Sequence, residues 1–190
     1  VKKLAIFGKI MIILLVFAAL KLFIDEFAET DWEKNNHSGN PVSATYIRTH
    51  INRGNYFLNQ GRILYYYRSD YDQASEKFRN AIAAYDKALD AIPENTPRFD
   101  RQKALAYSHR GHAKSELGNY LKAISDFRKV IEIKPDYCEA YFDIASLKYE
   151  IGDHTGALEE YRKISEKFDG TQRRKSEKEI TLLKNKLNNN

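Results

Sequence analysis

His109, His112 and Glu116 stand three and four residues apart, a spacing that gathers all three on one face of a helix. Such a face could offer a divalent metal three ligands. It could equally be the polar wall of a binding groove, and that reading is favoured. Cys138 opens a predicted helix, a position that can lower a thiol pKa. Its other reading, preferred here, is a small residue in a helix seam. Tyr65-Tyr66-Tyr67 would girdle a helix end as packing or rim. The chain has no Gly-rich phosphate loop, no cysteine pair and no nucleophile elbow. No catalytic residue, no cofactor, no metal site and no small-molecule substrate is therefore expected.

The elements that would hold these residues come from a periodicity. A shift of 34 residues sets Tyr107 on Tyr141, Gly118 on Gly152, Ala123 on Ala157, Phe127 on Tyr161 and Val130 on Ile164. Aromatic, small and branched positions match in kind, while the polar positions between them are read as unmatched. Ala123-xxx-Phe127-xx-Val130 and Ala157-xxx-Tyr161-xx-Ile164 each fall on one helical face. Gly118-Asn119 and Gly152-Asp153 mark the turns before those helices, and Gly111 and Ala145 mark close approach of the preceding ones. Pro135 closes the first of the two units.

Upstream, the pattern occurs twice on one helix, as Ala74-xxx-Phe78-xx-Ala81 and again as Ala81-xxx-Tyr85-xx-Ala88. Asp70 and Gln73 suit a capping box at its start. The following helix is predicted to run unbroken from Thr96 to Leu117, with Pro97 in its first turn. In the tail, Ile180, Leu183 and Leu187 share a face that a terminal helix could bury.

With spacing, turn and proline in agreement, the chain resembles the tetratricopeptide repeat family over about 125 of its 190 residues. The resemblance implies an all-α superhelix of helix-turn-helix repeats. Residues 45–96 would form an enlarged repeat, 97–137 and 138–171 two regular ones, and 172–190 a capping helix and disordered tail. Asp169 stands where the last repeat would have its closing proline.

The resemblance also implies that the first helices of successive repeats line a concave groove. By position these residues are Arg48, Asn52, Asn55 and Asn59 in the first unit and Ser108, His109, His112 and Glu116 in the second. The third contributes Glu139, Asp143, Ser146 and Glu150. Asn and His both donate and accept hydrogen bonds, which suits an extended peptide backbone. Relatives that grip a chaperone's terminal carboxylate carry basic residues at two places in the third repeat. Here those places hold Glu139 and Asp143, so the expected partner is a protein or peptide segment with Lys or Arg near the third unit.

Bulk properties agree with a folded domain plus an appendage: 43% hydrophobic residues, 30% charged, and a net charge of +5 without a concentrated basic patch. No nucleic-acid partner is expected. Residues 4–24 are predominantly apolar and would span about 30 Å as a helix, a bilayer's hydrocarbon thickness. They read as a transmembrane signal anchor, with a cleaved signal peptide or a buried helix as alternatives. Lys2, Lys3 and Lys9 precede the segment's centre, and Asp25, Glu26, Glu29, Asp31 and Glu33 follow its end. That asymmetry predicts a single-pass inner-membrane protein with a cytoplasmic amino terminus and the repeats in the periplasm. Residues 25–44 would be a linker. The expected function is a non-catalytic, membrane-anchored adaptor or scaffold serving an envelope protein complex. The alternatives are a periplasmic or secreted holdase with a cleaved signal, and a structural subunit of a larger membrane complex.

Overall fold

The duplicated alanine–aromatic pattern is buried along its whole length. In the computed structural model, which describes residues 43–188, Ala74, Phe78, Ala81, Tyr85 and Ala88 all lie on the inner face of one helix. The helices are α1 (Ala44–Arg68), α2 (Tyr71–Asp90), α3 (Asp100–Glu116), α4 (Tyr120–Ile133), α5 (Cys138–Glu150), α6 (His154–Lys167) and α7 (Gly170–Asn188). They pair in sequence as α1/α2, α3/α4 and α5/α6; α3 also packs on α2 and α1, α5 on α4, and α7 on α6. No strand occurs among the described residues.

Glycine decides how closely the helices of the first two pairs approach, and Ala145 takes that place in the third. A Cβ on Gly111 would stand 3.0 Å from Cζ of Phe127. In the longer first hairpin this arrangement is doubled: Gly54 lies against Tyr85, and Gly61 against Phe78. Both glycines and both rings are seven residues apart, about two turns, so each antiparallel helix presents its contact twice in matching register. Burial of an aromatic side chain of this kind contributes about 1.5–3 kcal/mol.

The turns after α3 and α5 share one geometry. Gly118 and Gly152 adopt φ of 72° and 81°. The Asn119 N–H then reaches the Lys114 carbonyl at 2.9 Å, and the Asp153 N–H reaches that of Lys148 at 2.9 Å. These are Schellman closures, which need a residue in the left-handed region. At the start of α2, Asp70 accepts from the Gln73 backbone N–H at 3.1 Å. The Gln73 side-chain amide donates to the Asp70 carboxylate at 2.6 Å, so it turns to the carboxylate of its capping partner.

The predicted unbroken helix from Thr96 to Leu117 is interrupted. Pro97–Phe99 forms a 3₁₀ turn, and the α-helix begins only at Asp100. The reason is Phe99, which is drawn inward against Tyr46, Ile47, Ile51, Ala88 and Ile92 and closes the base of the first hairpin. A straight helix through Pro97 would not be free to make that turn.

The predicted membrane-spanning segment, residues 4–24, lies outside the described residues. Among the described residues no helix is long and apolar enough to cross a membrane. The longest, α1, has 25 residues, but Arg48, Arg53, Arg62 and Arg68 are distributed along it. One side is buried against α2 and the other carries charge.

Candidate functional site

Side chains on α1, α3 and α5 reach across to one another. The Tyr85 hydroxyl of α2 donates to Oδ1 of Asn55 at 2.8 Å. The same ring stacks on His109, with centroids 6.0 Å apart and planes 17° from parallel. Glu116 accepts from Nε of Arg62 at 2.7 Å and from the Tyr66 hydroxyl at 3.2 Å. Nε2 of His112 stands 3.7 Å from Oδ2 of Asp143. Five of the residues nominated from sequence (Asn55, His109, His112, Glu116 and Asp143) thus lie in one connected band. Arg48, Asn52 and Asn59 are exposed on α1, as are Glu139, Ser146 and Glu150 on α5. Ser108 is buried.

Burial sets the protonation states in this band. It lowers the pKa of His109, with the Arg62 charge acting in the same sense. It lowers that of His112 to about 4, assisted by Arg62 and His109. Both imidazoles are therefore neutral at pH 7, each with one donor and one acceptor nitrogen. Asp143 is pushed up to about 6, first by burial and then by Glu139, while Lys175 and Arg62 act in the opposite direction. No group of three or more His, Cys, Asp or Glu side chains among the described residues is placed to hold a metal; Glu116 turns to Arg62 and Tyr66. Cys138 is buried, which pushes its thiol up, and Glu139 adds to the effect. The lowering expected from a helix start is outweighed. Tyr65, Tyr66 and Tyr67 are all exposed, with Tyr65 edge-on to Tyr66 and Tyr71 at 5.0 Å.

A stability measurement follows from Asp143. Its folded pKa is above its unfolded value, so the folded state gains relative stability as pH falls through about 6 and carries the full cost of the ionised form above that. Asp143→Asn should therefore raise the melting temperature by a few degrees at pH 8, with the gain shrinking towards pH 4. His112 works oppositely: its folded pKa is depressed, so stability is lost between pH 6.5 and about 4. In the variant that loss is no longer offset, and acid unfolding should steepen. Thermal melts from pH 4 to 8 test both, and an unchanged melting temperature at pH 8 would remove the strain assigned to this carboxylate.

Several residues of the band are not among those nominated from sequence. Arg62 and Tyr66 continue the spacing of Asn55 and Asn59 by three and four, so extending the helical face would have found them. Lys175, on α7, lies over the Phe142 ring at 4.4 Å. Only the packing of α7 brings it there.

Residues 104–137 match a family model described as tetratricopeptide repeat, and residues 139–171 match a second model of the same description. These segments are tetratricopeptide repeats. Among curated proteins, the chain is similar to the small glutamine-rich tetratricopeptide repeat-containing protein 2 of Saccharomyces cerevisiae. It is 32% identical over 91 residues, 48% of this chain and 24% of that protein. It is also similar to an Hsp70-Hsp90 organizing protein of Triticum aestivum, 26% identical over 87 residues, 46% of this chain and 14% of that one. The matched region thus covers about a quarter or less of either relative. Among solved structures, the TPR2B domain of yeast Sti1, in a complex with pHsp70, covers 70% of this chain and 98% of its own. Its TM-score is 0.48 and its identity 22%.

These findings correct the expected location. An inner-membrane protein with its tetratricopeptide repeats in the periplasm does not stand. The finding that overturns it is the set of relatives matched by the repeats, which includes a small glutamine-rich tetratricopeptide repeat-containing protein and one named for organizing Hsp70 and Hsp90. The envelope complex expected as its setting has no support among these relatives.

Proposed function

We propose that this tetratricopeptide array is a non-catalytic adaptor whose first-helix face forms a concave groove for an extended segment of a partner protein. The observation that carries this reading is Asp143. The carboxylate lies in a place that penalises its charge, beside the exposed Glu139 and facing a neutral His112. A fold selected for stability alone would have an uncharged residue there, whereas a cationic side chain arriving from a partner would relieve the strain. Asn52 and Asn59 are exposed on the same side as Asn55, available to peptide groups.

A segment carrying Asp or Glu meets the wrong charge at Glu139 and Asp143 in this chain, and a Lys- or Arg-bearing segment meets the right one. The test has two steps. A photoreactive residue in place of His112 identifies the partner segment by crosslinking, and titration with that segment then compares wild type with Glu139→Lys/Asp143→Lys. The double reversal should weaken binding by at least about tenfold. Unchanged affinity would remove the groove assignment.

A further inference from the structure

At the end of the array the groove does not close. α7 lies beside α5, and a pocket of about 300 Å³ opens between them and α6. Tyr161 and Leu183 are buried in its lining, Leu182 is 52% exposed, and Ser146, Tyr149 and Glu150 of α5 form the opposite wall. Ser146 and Glu150 share the α5 face that carries Glu139 and Asp143, so the pocket opens beside those carboxylates.

The two cations of α7 nearby are already engaged. Lys186 bonds the Tyr149 hydroxyl and lies 4.9 Å from the centroid of that ring, and Lys175 covers the Phe142 ring. Glu150 and Glu179 add negative charge to the pocket lining. A cup that joins Leu182, Leu183 and the Tyr149 and Tyr161 rings to the carboxylates of Glu150 and Glu179 favours a ligand with an apolar side chain and a cationic one.

The distance between the two features sets their spacing in that ligand. Asp143 is five residues from the midpoint of Ser146 and Glu150, about 7.5 Å along a helix. An extended peptide advances about 3.3 Å per residue and alternates its side chains, so residues two apart are about 6.6 Å apart and point the same way. We infer that the partner segment carries a Leu or Phe in this pocket and a Lys or Arg two residues away at Asp143 and Glu139. This deepens the groove reading and rests on it.

The test uses the full chain and fluorescein-labelled octapeptides of Gly and Ser, each with one Phe and one Lys separated by one to four positions, in both orders. Fluorescence anisotropy should show the separation of two binding about tenfold tighter than a separation of one or three. Ser146→Trp, an exposed position, fills the cup and should abolish the contribution of Phe while leaving the weaker dependence on Lys. Leu182→Ser should reduce the Phe contribution without altering the helical circular dichroism. Equal affinity at all separations overturns the inference. So does a pair of pocket variants that bind as wild type. If Glu139→Lys/Asp143→Lys still abolishes binding in either case, the groove survives and only the pocket is lost. Binding indifferent to that double reversal, no binding by any peptide, or tighter binding of an octapeptide with Glu in place of Lys would overturn both.

Discussion

Gly54→Ala should destabilise the protein by about 2–3 kcal/mol and lower its melting temperature by about 5–10 °C. At an unconstrained position inside a helix, the same change would stabilise by about 0.5–1 kcal/mol, because alanine loses less backbone entropy. The sign therefore distinguishes packing from propensity. A Cβ at Gly54 would stand 2.4 Å from Cε1 of Tyr85, and one at Gly61 would stand 2.6 Å from Cε1 of Phe78. Neither ring has room to withdraw, since Tyr85 and Phe78 are fully buried in the same cluster. Gly111→Ala should cost less, because its Cβ would meet the Phe127 ring at 3.0–3.2 Å. The third repeat shows that such a site can take a methyl group: Ala145 occupies the equivalent position and is buried in the cluster that holds Tyr161. The expected order of loss is Gly54, then Gly61, then Gly111. Combining Gly54→Ala with Tyr85→Leu should cost at least about 1 kcal/mol less than the sum of the single changes, by denaturant titration. Strict additivity, or a Gly54→Ala variant more stable than wild type, would refute the close approach.

That glycine pattern marks how much the sequence disclosed. Gly111 and Ala145 could be read from the 34-residue period. Gly54 and Gly61 could not be read the same way, because their partners Tyr85 and Phe78 belong to two copies of the pattern that share one helix only in the enlarged hairpin. The polar register is the larger omission. Polar positions were read as unmatched between repeats, yet Lys114 and Asp126 are joined at 2.8 Å, and their equivalents 34 residues on, Lys148 and Glu160, at 2.9 Å. Charged residues are common on every helical face, so two pairs that differ as Asp and Glu do not stand out until the packing shows all four half-buried or buried. Lateral contacts such as His112 with Asp143 depend on how far each helix pair is rotated against the next. Periodicity within a pair does not determine that rotation. The 3₁₀ turn at Pro97–Phe99 is similar, for it answers to an apolar cluster between α1 and α2 that only the folded chain has.

The second large effect should come from Asp126→Ala, a loss of about 3–5 kcal/mol. Its carboxylate is 5% exposed and accepts from Nε and Nη2 of Arg110 at 2.9 and 2.6 Å, as well as from Lys114. Arg110 extends the link to Asp86 of α2 at 2.5 Å, so one guanidinium joins two repeats. Burial alone would lower the pKa of Arg110, but the bonds to Asp126 and Asp86 more than offset it and hold the group charged. Removing Asp126 leaves Arg110 and Lys114, 17% and 16% exposed, with a single carboxylate between them. The third repeat solves the same packing problem differently. Ile144 stands where Arg110 does, and Glu160 is served by Lys148 and by the half-exposed Lys163. Glu160→Ala should therefore cost less than Asp126→Ala, since Lys163 can return to water. Arg110→Ile transfers the third repeat's solution to the second: Asp126 keeps Lys114, and Asp86, already 45% exposed, is released to solvent. Its expected cost is below about 1.5 kcal/mol. Urea unfolding of the three variants side by side decides the point. Should Arg110→Ile prove the most damaging, the stability of this seam would lie in the arginine's packing and its tie to α2, and the unpaired buried charge would not be what makes Asp126 indispensable.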